Sequence, residues 1–272
     1  MKMKKILSMV IVIALVIIFA VSAVMVGKYV KDSQKSANDF DELTAMKESA
    51  AATTQASEAA TEATETDLTA ETTAPADAQT FEVLPEYQEL HNMNSDMVGW
   101  IKIEGTKVDY PIMHTPDRPN YYLKRDFKGN YSEWGCIYMR EECDIKKPTD
   151  NITIYGHNMK DGSMFGDLRR YNNEEFYKSH KNIFMDTLTE YHVYEIFSVF
   201  KTSANVGEGF AYHQMEDAAN EKEFNDFVAE CKKLSFYDTG ITPKYGDKLI
   251  CLSTCEYTLD NGRLVVAARR IY

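Results

Sequence analysis

Apolar residues dominate the first stretch of the chain. Ile6 to Val26 is a run of 21 uncharged residues, relieved only by Ser8, Ser22 and scattered Ala. At about 1.5 Å per residue, such a helix spans roughly 30 Å, the hydrocarbon thickness of a bilayer. A different texture follows. From Ser33 to about Thr80 the chain is Ala, Thr, Glu and Ser, and no Lys or Arg occurs between Lys47 and Lys102. Such a segment buries too little apolar surface to offset its ordering entropy, so residues 27–80 are expected to form a disordered, extended stalk. A partly helical Ala/Glu stretch is the alternative, weakened by the many Thr residues.

From residue 81 onward the pattern is that of a folded domain. Tyr87 and Leu90 place a short helix over Glu86–Asn92. Short strand-like runs then alternate with Gly, Pro, Asn and Asp. They are Val98–Ile103, Val108–Ile112, Gly135–Tyr138, Ile152–Tyr155, Tyr191–Phe200, Lys248–Thr254 and Arg263–Ile271. One amphipathic helix interrupts them: in Met215–Leu234, Phe224, Phe227, Val228, Cys231 and Leu234 recur at helical spacing. Ser163–Tyr171 is a weaker helical segment. Many short strands with turn signals between them predict a mainly β fold, a barrel or a sandwich.

Charge adds direction. Lys2, Lys4 and Lys5 precede the apolar run, which favours a cytoplasmic N-terminus, although Lys28, Lys31 and Lys35 beyond it make the bias modest. A cleaved signal peptide ending near Val21-Ser22-Ala23 is the competing reading, but cleavable apolar regions are usually only about 7–15 residues. The expected layout is a cytoplasmic tail 1–5, a transmembrane anchor 6–26, the stalk 27–80 and an extracellular domain 81–272. The protein would sit in the cell membrane as a single-pass protein. The formal net charge is −12, and residues 81–272 carry 23 basic against 31 acidic side chains. No basic stripe remains to displace counterions from phosphates, so nucleic acid is excluded as a partner.

Five cysteines in an extracellular chain leave at least one unpaired. Cys251 and Cys255 lie in one predicted strand, where their Cα atoms would be about 13 Å apart, beyond disulfide reach. Cys231 falls on the apolar face of the long helix, and Cys136 and Cys143 could pair across a turn. Cys255 ends its strand just before the turn Asp260-Asn261-Gly262, and a hairpin joined by 256–262 would set it across from Arg263. A thiol beside a guanidinium suits a nucleophile, yet a buried structural Cys fits the same spacing. His157, in the polar run Tyr155-Gly156-His157-Asn158, is the candidate proton carrier. No pair of histidines has zinc-ligand spacing and no Cys-x-x-Cys occurs, so neither a metal nor a cofactor is expected.

Several separated runs resemble the sortases of Gram-positive bacteria, class B most closely. These are Asp96-Met97-Val98-Gly99-Trp100-Ile101, Asp109-Tyr110-Pro111-Ile112, Asn120-Tyr121-Tyr122-Leu123, Tyr155-Gly156-His157-Asn158-Met159 through Ser163-Met164-Phe165, Tyr237-Asp238-Thr239-Gly240 and Leu252-Ser253-Thr254-Cys255 with Arg263. One position departs from the family's Thr-Leu-x-Thr-Cys signature, which has Cys251 in first place here. The resemblance implies a closed barrel of about eight strands with an N-terminal helix, and the amphipathic helix inserted before the strand of the catalytic Cys. It implies a cysteine transpeptidase with Cys255, His157 and Arg263 catalytic and with Tyr155, Ser253 and Glu256 at the substrate. Its partners would be secreted proteins bearing a C-terminal Pro-x-Thr-type sorting signal, and an amine of peptidoglycan or of its lipid-linked precursor. A papain-like wall hydrolase expects Cys before His, the reverse of the order here. A surface-binding domain that kept the barrel but lost activity is the non-enzymatic alternative.

Overall fold

The computed structural model describes residues 2–62 and 82–272, with side chains described over 6–54 and 82–272. The chain divides into two units, Met1–Glu42 and Leu43–Tyr272. In the first, helix α1 (Lys2–Glu62) carries the apolar run, exposed along Ile6–Val30 and long and apolar enough to cross a membrane. The expected disordered stalk differs here: α1 continues without a break to Glu62, while the remainder of that stalk, 63–80, lies outside the described residues. Ala is the strongest helix former, and a helix already nucleated upstream propagates at little further cost.

The end of α1 belongs to the second unit. Leu43 is buried, and Lys47 reaches over Trp100, its Nζ 4.6 Å from the indole centroid and 4.0 Å from Asp109 Oδ1. Trp100 Nε1 donates to the same Asp109 oxygen at 2.6 Å. Burial holds the Lys47 pKa below its ordinary value, against the pull of Asp109 and Asp186.

After α2 (Pro85–Met93), eight strands close a barrel. They are β1 (Met97–Lys102), β2 (Asp109–Met113), β3 (Ile137–Met139), β4 (Asn151–Tyr155), β5 (Asn182–Thr187), β6 (Val193–Ser203), β7 (Leu249–Glu256) and β8 (Gly262–Arg270). Their order around the barrel is β1-β2-β3-β4-β7-β8-β6-β5, with β1 pairing β5 to close it. The β2/β3 and β4/β7 pairs are parallel, and the rest antiparallel. At the closing pair only glycine fits: a Cβ on Gly99 would sit 2.1 Å from the Asp186 carbonyl oxygen. Strand β5 carried no turn signal clear enough to predict it. The short helix α3 (Glu174–Ser179), started by Asn173 accepting from Glu175 N, was also not foreseen.

Helix α4 (Glu221–Leu234) covers the outer face of β6–β8. Phe224, Phe227, Val228 and Cys231 pack there with Phe200, Leu249, Cys251, Val265 and Ala267. The alternate residues Ile250, Leu252, Val266 and Ala268 are fully buried on the opposite face, inside the barrel. The helix starts six residues later than its periodicity predicted. Asn220 caps it by accepting from Glu223 N, and Glu223 reaches back to Ala219 N. Upstream, Glu216 O and the Asp217 carboxylate accept from the backbone of Asn151 and Asp150, which holds 215–217 against β4 instead of in a helix. The expected helix at Ser163–Tyr171 appears as a 3-10 segment, Gly166–Asn172.

Candidate active site

The antiparallel register of β7 and β8 sets Cys255 directly opposite Arg263. Pleating puts Leu249, Cys251, Ser253 and Cys255 on one face, so Cys255 sits on the outer face just past the cover of α4. It is half-buried, whereas Cys136, Cys143, Cys231 and Cys251 are fully buried and their thiols are held in the neutral form by burial. All five are free, so Cys136 and Cys143 do not pair. Access, not spacing, separates Cys255 from the other four.

His157 arrives from the neighbouring parallel strand. Tyr155 of β4 pairs with Ser253 of β7, and the chain beyond Tyr155 runs alongside Thr254 and Cys255. Three hydrogen bonds lace this loop to the strand. Gly156 N donates to Ser253 O (3.2 Å), Thr254 Oγ1 to Gly156 O (2.7 Å) and Asn158 Nδ2 to Cys255 O (2.7 Å). Gly156 has no room for a side chain, since a Cβ would meet Ile137 Cδ1 at 2.5 Å and the Phe165 ring at 2.7 Å. The His157 ring lies with Nε2 2.6 Å from Leu123 O. A carbonyl only accepts, so Nε2 carries a proton, and Nδ1 is the nitrogen left to take or give one.

Arg263 is anchored by the hairpin loop that precedes it. Its Nη1 donates to Asn261 O (3.2 Å), Asn261 Oδ1 (3.1 Å) and Gly262 O (2.9 Å). Tyr155 packs its ring 5.5 Å from that of Tyr138, and burial raises both phenols well above their ordinary pKa. Ser253 is placed differently from a groove-lining side chain: it is 1% exposed, with Oγ 2.5 Å from the Tyr212 hydroxyl. Burial pushes the Tyr212 phenol up to about 12, so it keeps its proton for this contact. The Glu256 side chain turns into the hairpin loop, accepting from Thr258 N, Thr258 Oγ1 and Leu259 N and pairing with Lys201. Asn158, Tyr138, Tyr212 and the Leu123 carbonyl were not singled out from sequence. Asn158, beside His157, and Leu123, at the end of Asn120-Tyr121-Tyr122-Leu123, lie in runs that could have flagged them. Among the described residues, no three His, Cys, Asp or Glu side chains come together as metal ligands would.

A half-exposed thiol at a strand end, opposite a guanidinium and laced to a histidine loop, has the chemical groups that thiol-based acyl transfer uses. The comparisons agree with that reading. The family described as the sortase domain matches residues 101–271. Sortase B of Listeria monocytogenes is 35% identical over 193 residues, covering 70% of this chain and 76% of that protein. Sortase B of Staphylococcus aureus is 31% identical over 191 residues, with the same coverage. A structure of the S. aureus sortase B–substrate complex superposes with a TM-score of 0.69 at 27% identity, over 89% of this chain and 98% of that one. Sortase B from Bacillus anthracis in complex with AAEK1 gives 0.61 at 37% identity, over 72% and 88%. The chain belongs to the sortase family of cysteine transpeptidases, with its likeness to class B.

Proposed function

We propose that this protein, anchored by residues 6–26 with its N-terminus in the cytoplasm, joins secreted proteins to a cell-wall amine. Its substrates carry a C-terminal Pro-x-Thr-type sorting signal. Cys255 Sγ attacks the Thr carbonyl carbon as its thiol proton passes to His157, and the C–N bond breaks as His157 gives that proton to the departing amine. The thioester that remains is attacked by an amine of peptidoglycan or of its lipid-linked precursor. That amine gives up a proton to His157, an amide forms, and the sulfur of Cys255 leaves as a thiolate that takes the proton back from His157. Arg263 supplies positive charge where the oxyanion develops, together with the backbone N–H of Glu256. Loss of one such donor typically costs about 100- to 1000-fold in rate. Tyr155 lines the groove that holds the signal, while Ser253 supports its floor through Tyr212.

The observation carrying this reading is the pairing of Cys255 with Arg263 on an open strand end, with the His157 loop bonded to the same strand. The test mixes the full-length protein in detergent with a panel of Pro-x-Thr-Gly and Pro-x-Thr-Asn peptides and reads intact mass. A covalent acyl adduct absent from Cys255→Ala is expected. No adduct from any peptide, with Cys255 also inert to a small thiol reagent, would return the protein to a binding domain on a sortase barrel.

A further inference from the structure

The five-residue loop 257–261 joins β7 to β8 and is largely exposed, with Tyr257 at 77%. It buries little of its own apolar surface, yet its conformation is held by a specific set of bonds. Glu256 Oε2 accepts from Thr258 N (2.9 Å), Thr258 Oγ1 (2.8 Å) and Leu259 N (3.2 Å). Glu256 Oε1 takes the ammonium of Lys201 at 2.9 Å, and Lys201 Nζ also reaches Thr258 Oγ1 at 3.2 Å. The two side chains are 25% and 11% exposed, so the pair is screened far less than a surface one. Downstream, Gly262 N returns to Leu259 O, and the last acceptors of this turn, Asn261 O, Asn261 Oδ1 and Gly262 O, grip the Arg263 guanidinium.

Register shows which side of the sheet each group occupies. Lys201 pairs with Leu264, which pairs with Thr254, and Glu256 lies two residues beyond Thr254 on the same face. Thr202, Arg263 and Cys255 are neighbours on the opposite face. Lys201 therefore approaches the site from behind the sheet, and strand pleating keeps its ammonium off the face where the substrate carbonyl meets Cys255.

We propose that Lys201 is a positioning residue for Arg263: through the Glu256 carboxylate it fixes the hairpin turn whose carbonyls aim the guanidinium. The inference rests on the reading of Arg263 as the oxyanion partner. Without the ammonium, a partly buried carboxylate keeps only neutral donors, and the turn loses the Lys201–Glu256 ion pair. Arg263 then samples orientations away from the reacting carbonyl, which costs rate without weakening the binding of the ground-state signal.

The experiment is a double-mutant cycle in the full-length protein, comparing Lys201→Met, Arg263→Ala and the double variant, with Lys201→Arg as the conservative control. Acylation is followed by single-turnover mass spectrometry to long times, and Cys255 alkylation by a small thiol reagent. Lys201→Met is expected to lower the acylation rate about tenfold with KM within twofold and alkylation unchanged, and Lys201→Arg to recover most of the loss. On the Arg263→Ala background the same Lys201 change should cost less than twofold. An equal loss on both backgrounds, or a parallel fall in alkylation, overturns the inference, as does wild-type acylation by Lys201→Met. Arg263→Ala acylating at the parent rate would instead sink the role assigned to Arg263 itself.

Discussion

Asn158 illustrates what one side chain contributes between the Cys255 strand and the His157 loop. Its amide orientation is set by chemistry, since only the NH2 can donate to Cys255 O, and this leaves Oδ1 buried without a partner. That cost is tolerable only if the bond to Cys255 matters for placing it beside the loop of His157. Asn158→Ala should slow acylation about tenfold, and Asn158→Asp should be worse, because a carboxylate would face a carbonyl oxygen. Rates from peptide cleavage check this, and an Asp variant as fast as the parent would remove the positional role. Glu256 provides a pH prediction with a definite sign. Burial works against its charge, but the bonds from Lys201 and Thr258 win and its pKa lies below the ordinary 4.5. A depressed carboxylate contributes stability that is full above its unfolded value and drains as pH falls through the folded one. Melting temperature measured from pH 6 to pH 3 should therefore fall less steeply in Glu256→Gln than in the parent.

At the scale of elements, α1 and the strands differ in how far local pattern reached. The barrel strands β1–β4 and β6–β8 follow from apolar runs cut by turn residues, since strand faces are buried wherever they occur. Strand β5 does not, because Asn182–Thr187 alternates weakly and becomes a strand only by closing the barrel between β1 and β6. The continuation of α1 to Glu62 has the same origin. An Ala/Glu/Thr stretch is locally ambiguous, whereas Leu43 is buried and Lys47 is held by Trp100 and Asp109, more than 50 residues downstream. Lys47→Ala should lower the melting temperature by about 1–8 °C, given roughly 0.5–2 kcal/mol for a partly desolvated cation–π pair and about 2–4 °C per kcal/mol in a domain of this size. Calorimetry of the full-length protein checks it, and an unchanged midpoint would mean that the contact is not formed in solution.

For the whole molecule, the sequence by itself determined a 21-residue apolar run, a mainly β domain beyond it, and the residue types of a thiol transferase in separated motifs. These are local properties, carried by hydrophobic period, turn chemistry and short spacing, and they need no partner distant in the chain. Tertiary structure alone decided that the histidine loop meets the cysteine strand. The bond from Asn158 to Cys255 spans 97 positions, and it exists because β4 and β7 lie parallel and adjacent in the barrel order. It also decided which of five thiols is accessible, because α4 covers Cys251 and stops short of Cys255. Burial and the face on which a side chain emerges are properties of packed neighbours. For the same reason Lys201, an ordinary strand lysine in sequence, acquires its place behind Arg263 only when β6 pairs with β8.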